Sequence, residues 1–198
     1  MFGEKGYVKY ECEWIKASSV DESLITELNS YRSKLYHHGL IGVYPNGIGY
    51  GNMSIRLEEN SFLITGTSTG HLEKLTNEHY TKVVDYNFKE NRLTCQGPIK
   101  ASAESLTHAS VYESSPETMA VIHIHSQLLW DQLKNNVPTT APEIEYGTPE
   151  MALEISRLFR ETDVKAKQIL VMAGHEEGII SFGKTLDEAF YLIINHIK

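Results

Sequence analysis

No run of lysine or arginine occurs anywhere in this 198-residue chain. A nucleic-acid-binding surface needs a basic patch, so no nucleic-acid partner is expected. The balance is instead acidic, with 26 Asp and Glu against 18 Lys and Arg and a net charge of -8. Such a chain can still take an anionic small molecule through local backbone amides, a metal or single cations. Cysteine is scarce: Cys12 and Cys95 lie far apart and make neither a disulfide framework nor a Cys-x-x-Cys pair. Long apolar runs are also missing. Ile169-Leu170-Val171-Met172-Ala173 falls well short of the roughly 20 residues a bilayer span requires. The opening MFGEKGYVKYECEW has no apolar stretch of signal-peptide length. No membrane partner and a cytoplasmic location are therefore expected. Repeats, low-complexity tracts and linkers are absent as well. With 41% hydrophobic and 22% charged residues over 198 positions, the chain is expected to be one globular domain, 1–198. Residues 1–20, irregular in pattern, are expected to form a peripheral arm.

What is there alternates between helix and strand signals. Leu24, Leu28, Tyr31 and Leu35 recur at steps of three and four, which predicts a helix from Asp21 with those residues on one face. Gly39 stops it. Alternation over Asn52–Leu57 and Ser61–Thr65 predicts a β-hairpin, and Lys82–Phe88 with Arg92–Gln96 a second. A helix is expected over Ala103–Glu113, a strand over Met119–His125 and a helix over Ser126–Lys134. Thr148-Pro149-Glu150 is a helix start, with Met151, Ile155, Leu158 and Phe159 as the buried face. Gln168–Ala173 and Gly178–Phe182 read as strands. Thr185-Leu186-Asp187-Glu188 is a Thr-x-x-Glu capping box. Strands come as hairpins between helices, so the fold class expected is α/β: a three-layer α/β/α sandwich with a mainly antiparallel or mixed central sheet.

The sharpest chemical signal is His123-Ile124-His125. In a strand, residues two apart share a face with Cα atoms about 6.5–7 Å apart, so two imidazoles can converge on one ion. A third ligand must come from elsewhere. His175 is the candidate, and its neighbours Glu176 and Glu177 are alternatives, because carboxylate oxygen also suits zinc. His37, His38, His71, His79, His108 and His196 read as surface or packing residues. Glu104 stands at a helix start, where a carboxylate ordinarily stabilises the N-terminus by up to about 1 kcal/mol. Gly49-Tyr50-Gly51-Asn52 and Thr65-Gly66-Thr67-Ser68-Thr69-Gly70 are rich in small polar residues that can cradle a phosphate or carboxylate without lysine.

Read in order, these pieces resemble the class II aldolase/adducin family. The resemblance runs from about Ser23 to Ala189. It is carried by Gly51–Arg56, Ile64–Thr67, Ser102-Ala103-Glu104, the segment from Glu104 through His108, Tyr112 and Pro116 to Ala120–Ser126, and Gly183–Ala189. It implies one divalent metal per subunit, Zn2+, held by His123 and His125 with His175 as third ligand. It gives Glu104 the role of metal-ligating or proton-removing acid, and Asn52, Thr67, Ser68 and Ser102 that of phosphate binding. The activity implied is that of a metal-dependent lyase acting on a small phosphorylated sugar through a zinc-stabilised enediolate. A homotetramer with sites between subunits is implied as well.

Departures from the family pattern accompany it. The family carries His-His-Gly or Asn-His-Gly where this chain has His175-Glu176-Glu177-Gly178, so an ungapped match puts Glu177 in the ligand position. Ala103 replaces a phosphate-binding serine, and the segment Thr65–Gly70 holds an extra residue. The stretch from His125 to Tyr146 is short and offers no match for the family's proton-donating tyrosine. Two alternative readings follow: a relative catalysing epimerisation, dehydration or decarboxylation, and a non-catalytic adducin-like interaction protein. Adducin-like heads lose metal ligands, whereas His123, His125 and Glu104 are present here.

Overall fold

Successive strand residues face opposite layers of helix, and that alternation organises the chain. The computed structural model describes residues 10–58 and 60–197. In chain order the elements are β1 (Glu11–Lys16), α1 (Glu22–His37), β2 (Gly42–Val43), β3 (Gly49–Tyr50), β4 (Asn52–Arg56), β5 (Phe62–Thr65), β6 (Tyr80–Asn87), β7 (Arg92–Gly97), α2 (Ser105–Ser114) and β8 (Ala120–His125). There follow α3 (Gln127–Leu133), α4 (Pro149–Glu161), α5 (Val164–Lys167), β9 (Ile169–Val171), β10 (Gly178–Gly183) and α6 (Leu186–His196). Eight strands make one sheet in the order β1-β7-β6-β5-β4-β8-β10-β9, and β2 pairs with β3 apart from it. β1 runs parallel to β7, and the other neighbours are antiparallel. The expected sandwich with a mixed, mainly antiparallel sheet is the fold observed.

Each face of the sheet has its own core. Leu106 and Ala109 of α2 and Met151, Ile155 and Leu158 of α4 pack with Phe62, Ile64, Val121 and Ile180 on one side. Leu28 and Leu35 of α1, Leu129 of α3 and Phe190 of α6 pack with Met53, Ile122, Ile124 and Ile179 on the other. β8 shows the period-two logic directly: Ala120, Ile122 and Ile124 belong to the second core, and Val121 to the first. His123 and His125 therefore share the face covered by α2 and α4. β8 lies between β4 and β10, with His123 opposite Asn52 and Ile180, and His125 opposite Gly178. No helix among the described residues is long and apolar enough to cross a membrane.

Local signals set most boundaries. Asp21 caps α1 by accepting from the Ser23 amide. Gly39 ends it with φ +69°, a left-handed conformation that suits glycine, and the Leu40 amide donates back to the Leu35 carbonyl at 3.0 Å. Thr148 caps α4, and Met151, Ile155, Leu158 and Phe159 are buried as expected.

Other expectations are corrected. Leu24 is 42% exposed, and Ile25 takes the buried position. The buried stripe also contains Arg32, whose guanidinium donates to the carbonyls of Thr69, Leu72 and Glu73. Those bonds satisfy a buried cation and hold the 69–73 segment against α1. The arm expected at 1–20 contains an ordered edge strand, β1, and its residues 1–9 lie outside the described residues. Tyr10 donates to the Ser102 carbonyl at 2.8 Å, which ties this end of the chain to the loop before α2. The capping box of α6 is half formed: Thr185 accepts from the Glu188 amide, but the Glu188 carboxylate accepts from Lys184 rather than from Thr185.

Candidate metal centre

β8 delivers His123 and His125 to one end of the sheet, where the turn between β9 and β10 brings His175 against them. The His125 amide donates to the Leu40 carbonyl at 3.0 Å, so the end of α1 fixes where β8 stops. The His175 amide donates to Met172, and the Gly178 amide donates to the His175 carbonyl at 2.9 Å, closing a tight turn. The three rings stand nearly edge to face, with centroids 4.9 Å (123 to 125), 5.2 Å (123 to 175) and 4.6 Å (125 to 175) apart. One nitrogen from each lies within 4.8 Å of the others, the one such group of metal-binding side chains among the described residues. Glu176 and Glu177 are not part of it.

His123 and His125 are hydrogen-bonded through Nδ1, and His175 Nδ1 faces a carboxylate oxygen at ion-pair distance. His123 Nδ1 lies 3.2 Å from the Asn52 side-chain amide, His125 Nδ1 lies 2.8 Å from the Tyr44 hydroxyl, and His175 Nδ1 lies 3.3 Å from Glu104 Oε1. The Nε2 atoms of His125 and His175 face each other at 2.9 Å. Tetrahedral zinc with bonds of about 2.0–2.1 Å separates its ligand nitrogens by about 3.3 Å, close to that spacing. His123 Nε2 is buried without a hydrogen-bond partner, and so is Asn52 Oδ1. Turning the Asn52 amide over, which network geometry alone decides, lets Oδ1 accept from His123 Nδ1–H and leaves the Nε2 lone pair for a cation. Burial above all holds the His123 pKa well below 6.5, so the imidazole stays neutral, the form that ligates. The donor set fits a divalent metal.

Glu104 does not cap α2. That helix begins at Ser105, with Glu104 just before it and no capping bond from its side chain. Its carboxylate instead accepts from Thr107 Oγ1 at 2.8 Å and turns toward His175, 3% exposed overall. The dipole-stabilising reading is therefore replaced by one in which the acid faces the imidazole cluster.

All the sequence-predicted site residues meet in one cleft. Asn52, Thr67, Ser68, Ser102 and Glu104 line it together with the three histidines. The loop from Gly66 to Gly70 forms one wall, held by the Arg32 bonds and by Thr69 donating to the Gly66 carbonyl at 2.9 Å. Gly70 is required there: a Cβ would fall 2.2 Å from the Gly42 carbonyl oxygen. The lining holds no lysine or arginine among the described residues, so hydroxyls and backbone amides are the anion donors on offer. Three tyrosines also line the cleft, of which the sequence pointed only to Tyr50, as part of the Gly49–Asn52 segment. Tyr44 and Tyr50 stack at 4.5 Å on the β2–β3 hairpin, and Tyr146 lies 4.2 Å from the His175 ring. Nothing in the local pattern of Tyr44 and Tyr146 marks them, since long-range packing alone brings them in.

Behind the cleft, His108 on α2 is fully buried, with Nδ1 2.7 Å from Ser54 Oγ. Burial, reinforced by nearby His123, pulls its pKa down from 6.5 to about 3. A depressed histidine is neutral in the fold while the unfolded chain protonates, so stability is complete above about pH 6.5 and falls as pH drops toward 3. Between pH 6.5 and 4.5 this one group costs up to about 3 kcal/mol. Urea midpoints of metal-free protein are therefore expected to fall across that range, and less steeply in His108→Gln. Equal pH slopes in the two proteins would show that His108 is not the source.

The model of the family "Class II Aldolase and Adducin N-terminal domain" matches residues 27–197. The chain is 34% identical over 112 residues to the 3-oxo-tetronate 4-phosphate decarboxylase of Haemophilus influenzae, covering 56% of this chain and 49% of that protein. It is 28% identical over 161 residues to the L-fuculose phosphate aldolase of the same organism, covering 72% of this chain and 66% of that one. The matched stretches thus span less than two thirds of either relative. The crystal structure of L-fuculose-1-phosphate aldolase from Thermus thermophilus superposes with a TM-score of 0.62 at 24% identity, covering 87% of this chain and 88% of that one. That likeness establishes the fold.

Proposed function

Because the chain belongs to the class II aldolase and adducin N-terminal domain family, we propose that it is a metal-dependent carbon–carbon lyase acting on a small phosphorylated sugar. The observation that carries this reading is the convergence of His123, His125 and His175 beside the buried carboxylate of Glu104. Three imidazoles suit Zn2+, and a cation held there supplies Lewis acidity to a substrate carbonyl when bound. Glu104, buried at the edge of the cleft, moves the proton to and from the carbon next to that carbonyl. Thr67, Ser68 and Ser102 offer hydroxyls to the phosphate. Asn52, once its oxygen is committed to His123, presents its NH2 to the same cleft.

Decarboxylation is the second reading. It is favoured by the 34% identity over 112 residues to a decarboxylase. Loss of CO2 from a 3-oxo acid leaves the same kind of carbanion, and Glu104 would protonate it. A panel of ketose 1-phosphates, 3-oxo-acid phosphates and their unphosphorylated forms separates the two. Aldehyde release marks aldol cleavage, CO2 release marks decarboxylation, and both are expected to stop with a chelator and return with zinc. Turnover that is indifferent to a chelator would contradict both.

A further inference from the structure

We propose that Glu177 and Tyr44 form a hydrogen-bond relay that holds His125 in the tautomer presenting the Nε2 lone pair to the imidazole cluster. The inference rests on the metal-binding reading of that cluster and assigns its outer support. It also gives Glu177, which a gap-free match would make a metal ligand, a different task as a positioning residue.

The direction of each proton follows from chemistry. A carboxylate only accepts, so the short contact between the Tyr44 hydroxyl and Glu177 Oε2 is a donation by Tyr44. The Tyr44 oxygen is then the acceptor for His125, whose Nδ1 lies 2.8 Å away. The carboxylate itself is 3.6 Å from Nδ1, too far to take that hydrogen bond directly. Nδ1 therefore carries the hydrogen, and Nε2 carries the lone pair, 2.9 Å from His175 Nε2. His175 Nε2 faces that lone pair, so either a hydrogen on His175 or a cation joins the two rings.

The relay is built from two rigid turns. Tyr44 closes a hairpin in which its amide donates to the Ile48 carbonyl and the Gly47 amide donates to the Tyr44 carbonyl, both at 2.8 Å. Its ring is braced against Tyr50, which also stacks 5.5 Å from His125. Glu177 adopts φ +69°, left-handed backbone that costs a branched or long side chain energy and that glycine adopts freely. Its carbonyl accepts from the Ser126 amide at 3.0 Å, next to His125. A strained residue kept at a site where glycine would fit better is expected to be held there for its side chain.

The test measures zinc affinity, by competition with a chromophoric chelator, in wild type, Tyr44→Phe, Glu177→Gly and the double variant. The ring nitrogen shifts of His125 are read in the metal-free proteins. Tyr44→Phe keeps the ring stack and removes only the hydroxyl, and Glu177→Gly relieves the backbone while deleting the carboxylate. Each single variant is expected to bind zinc about 10- to 100-fold more weakly. The double variant is expected to bind no more weakly than Tyr44→Phe, because Glu177 acts through Tyr44. Glu177→Gly is expected to melt no lower than wild type. His125 is expected to be protonated at Nδ1 in wild type and to become a tautomer mixture in the variants. Unchanged affinity and tautomer in both single variants, with wild type binding zinc, would overturn the relay alone. Additive losses in the double variant would overturn the route through Tyr44. A wild type that takes up no zinc overturns the metal reading and the relay with it.

Discussion

Replacing His123 with alanine is expected to strip the divalent metal from an otherwise folded protein and to lower kcat about 10³-fold or more. Its ring is 1% exposed and faces the cluster from the middle of the sheet, between Asn52 on β4 and Ile180 on β10. The remaining imidazoles, His125 and His175, lack the third nitrogen that closes a zinc site. Lewis-acid stabilisation of a developing oxyanion is worth several kcal/mol, and each 1.36 kcal/mol is a factor of ten in rate. The control is thermal unfolding. Added zinc raises the melting temperature of wild type by mass action and leaves that of the variant unchanged. A cooperatively folded His123→Ala protein with wild-type zinc content would exclude this residue as a ligand.

Glu104→Gln is expected to keep the metal and the fold and to lose about 10²- to 10⁴-fold in kcat. The carboxylate is buried, accepts from Thr107 at 2.8 Å and lies 3.3 Å from His175 Nδ1. Glutamine retains the shape and can still accept through its oxygen, but it cannot carry the proton. The geometry also allows Glu104 a second task, orienting His175 as Tyr44 orients His125. Zinc affinity separates the two. If Glu104 served only to orient His175, the variant would bind zinc about 10- to 100-fold more weakly and would recover its turnover at saturating zinc. Turnover that stays low with the metal site filled marks proton transfer at Glu104 itself.

Much of this arrangement was legible in the sequence, for local reasons. His-x-His within an apolar strand obliges two imidazoles to share a face, and β8 does this. Capping residues announced α4 and α6, because a side-chain oxygen three residues or fewer from an amide needs no tertiary context. The Gly-rich segments near Asn52 and Thr67 were recognisable as cradle material, and both line the cleft.

What escaped depends on contacts far apart in sequence. β1 carries weak alternation and is ordered by its parallel pairing with β7, a distant segment whose Arg92 stands in register with Glu11. Arg32 sits in a buried stripe because carbonyls from the 69–73 segment meet it there, which α1 alone does not reveal. Leu24 and Ile25 differ by one helical step, and only the position of α6 and the sheet decides which is covered. Tyr44 and Glu177 lie 133 positions apart, so no local motif joins them. Spacing likewise leaves His175, Glu176 and Glu177 open, and only the turn shows that His175 is the one brought beside His123 and His125.

Metal content per chain is the measurement closest to the central claim. Wild-type protein, purified without chelator and then equilibrated with zinc and desalted, is expected to hold about one divalent ion per chain, held by three imidazoles. Protein that carries none and takes up none, while cooperatively folded, would contradict the account.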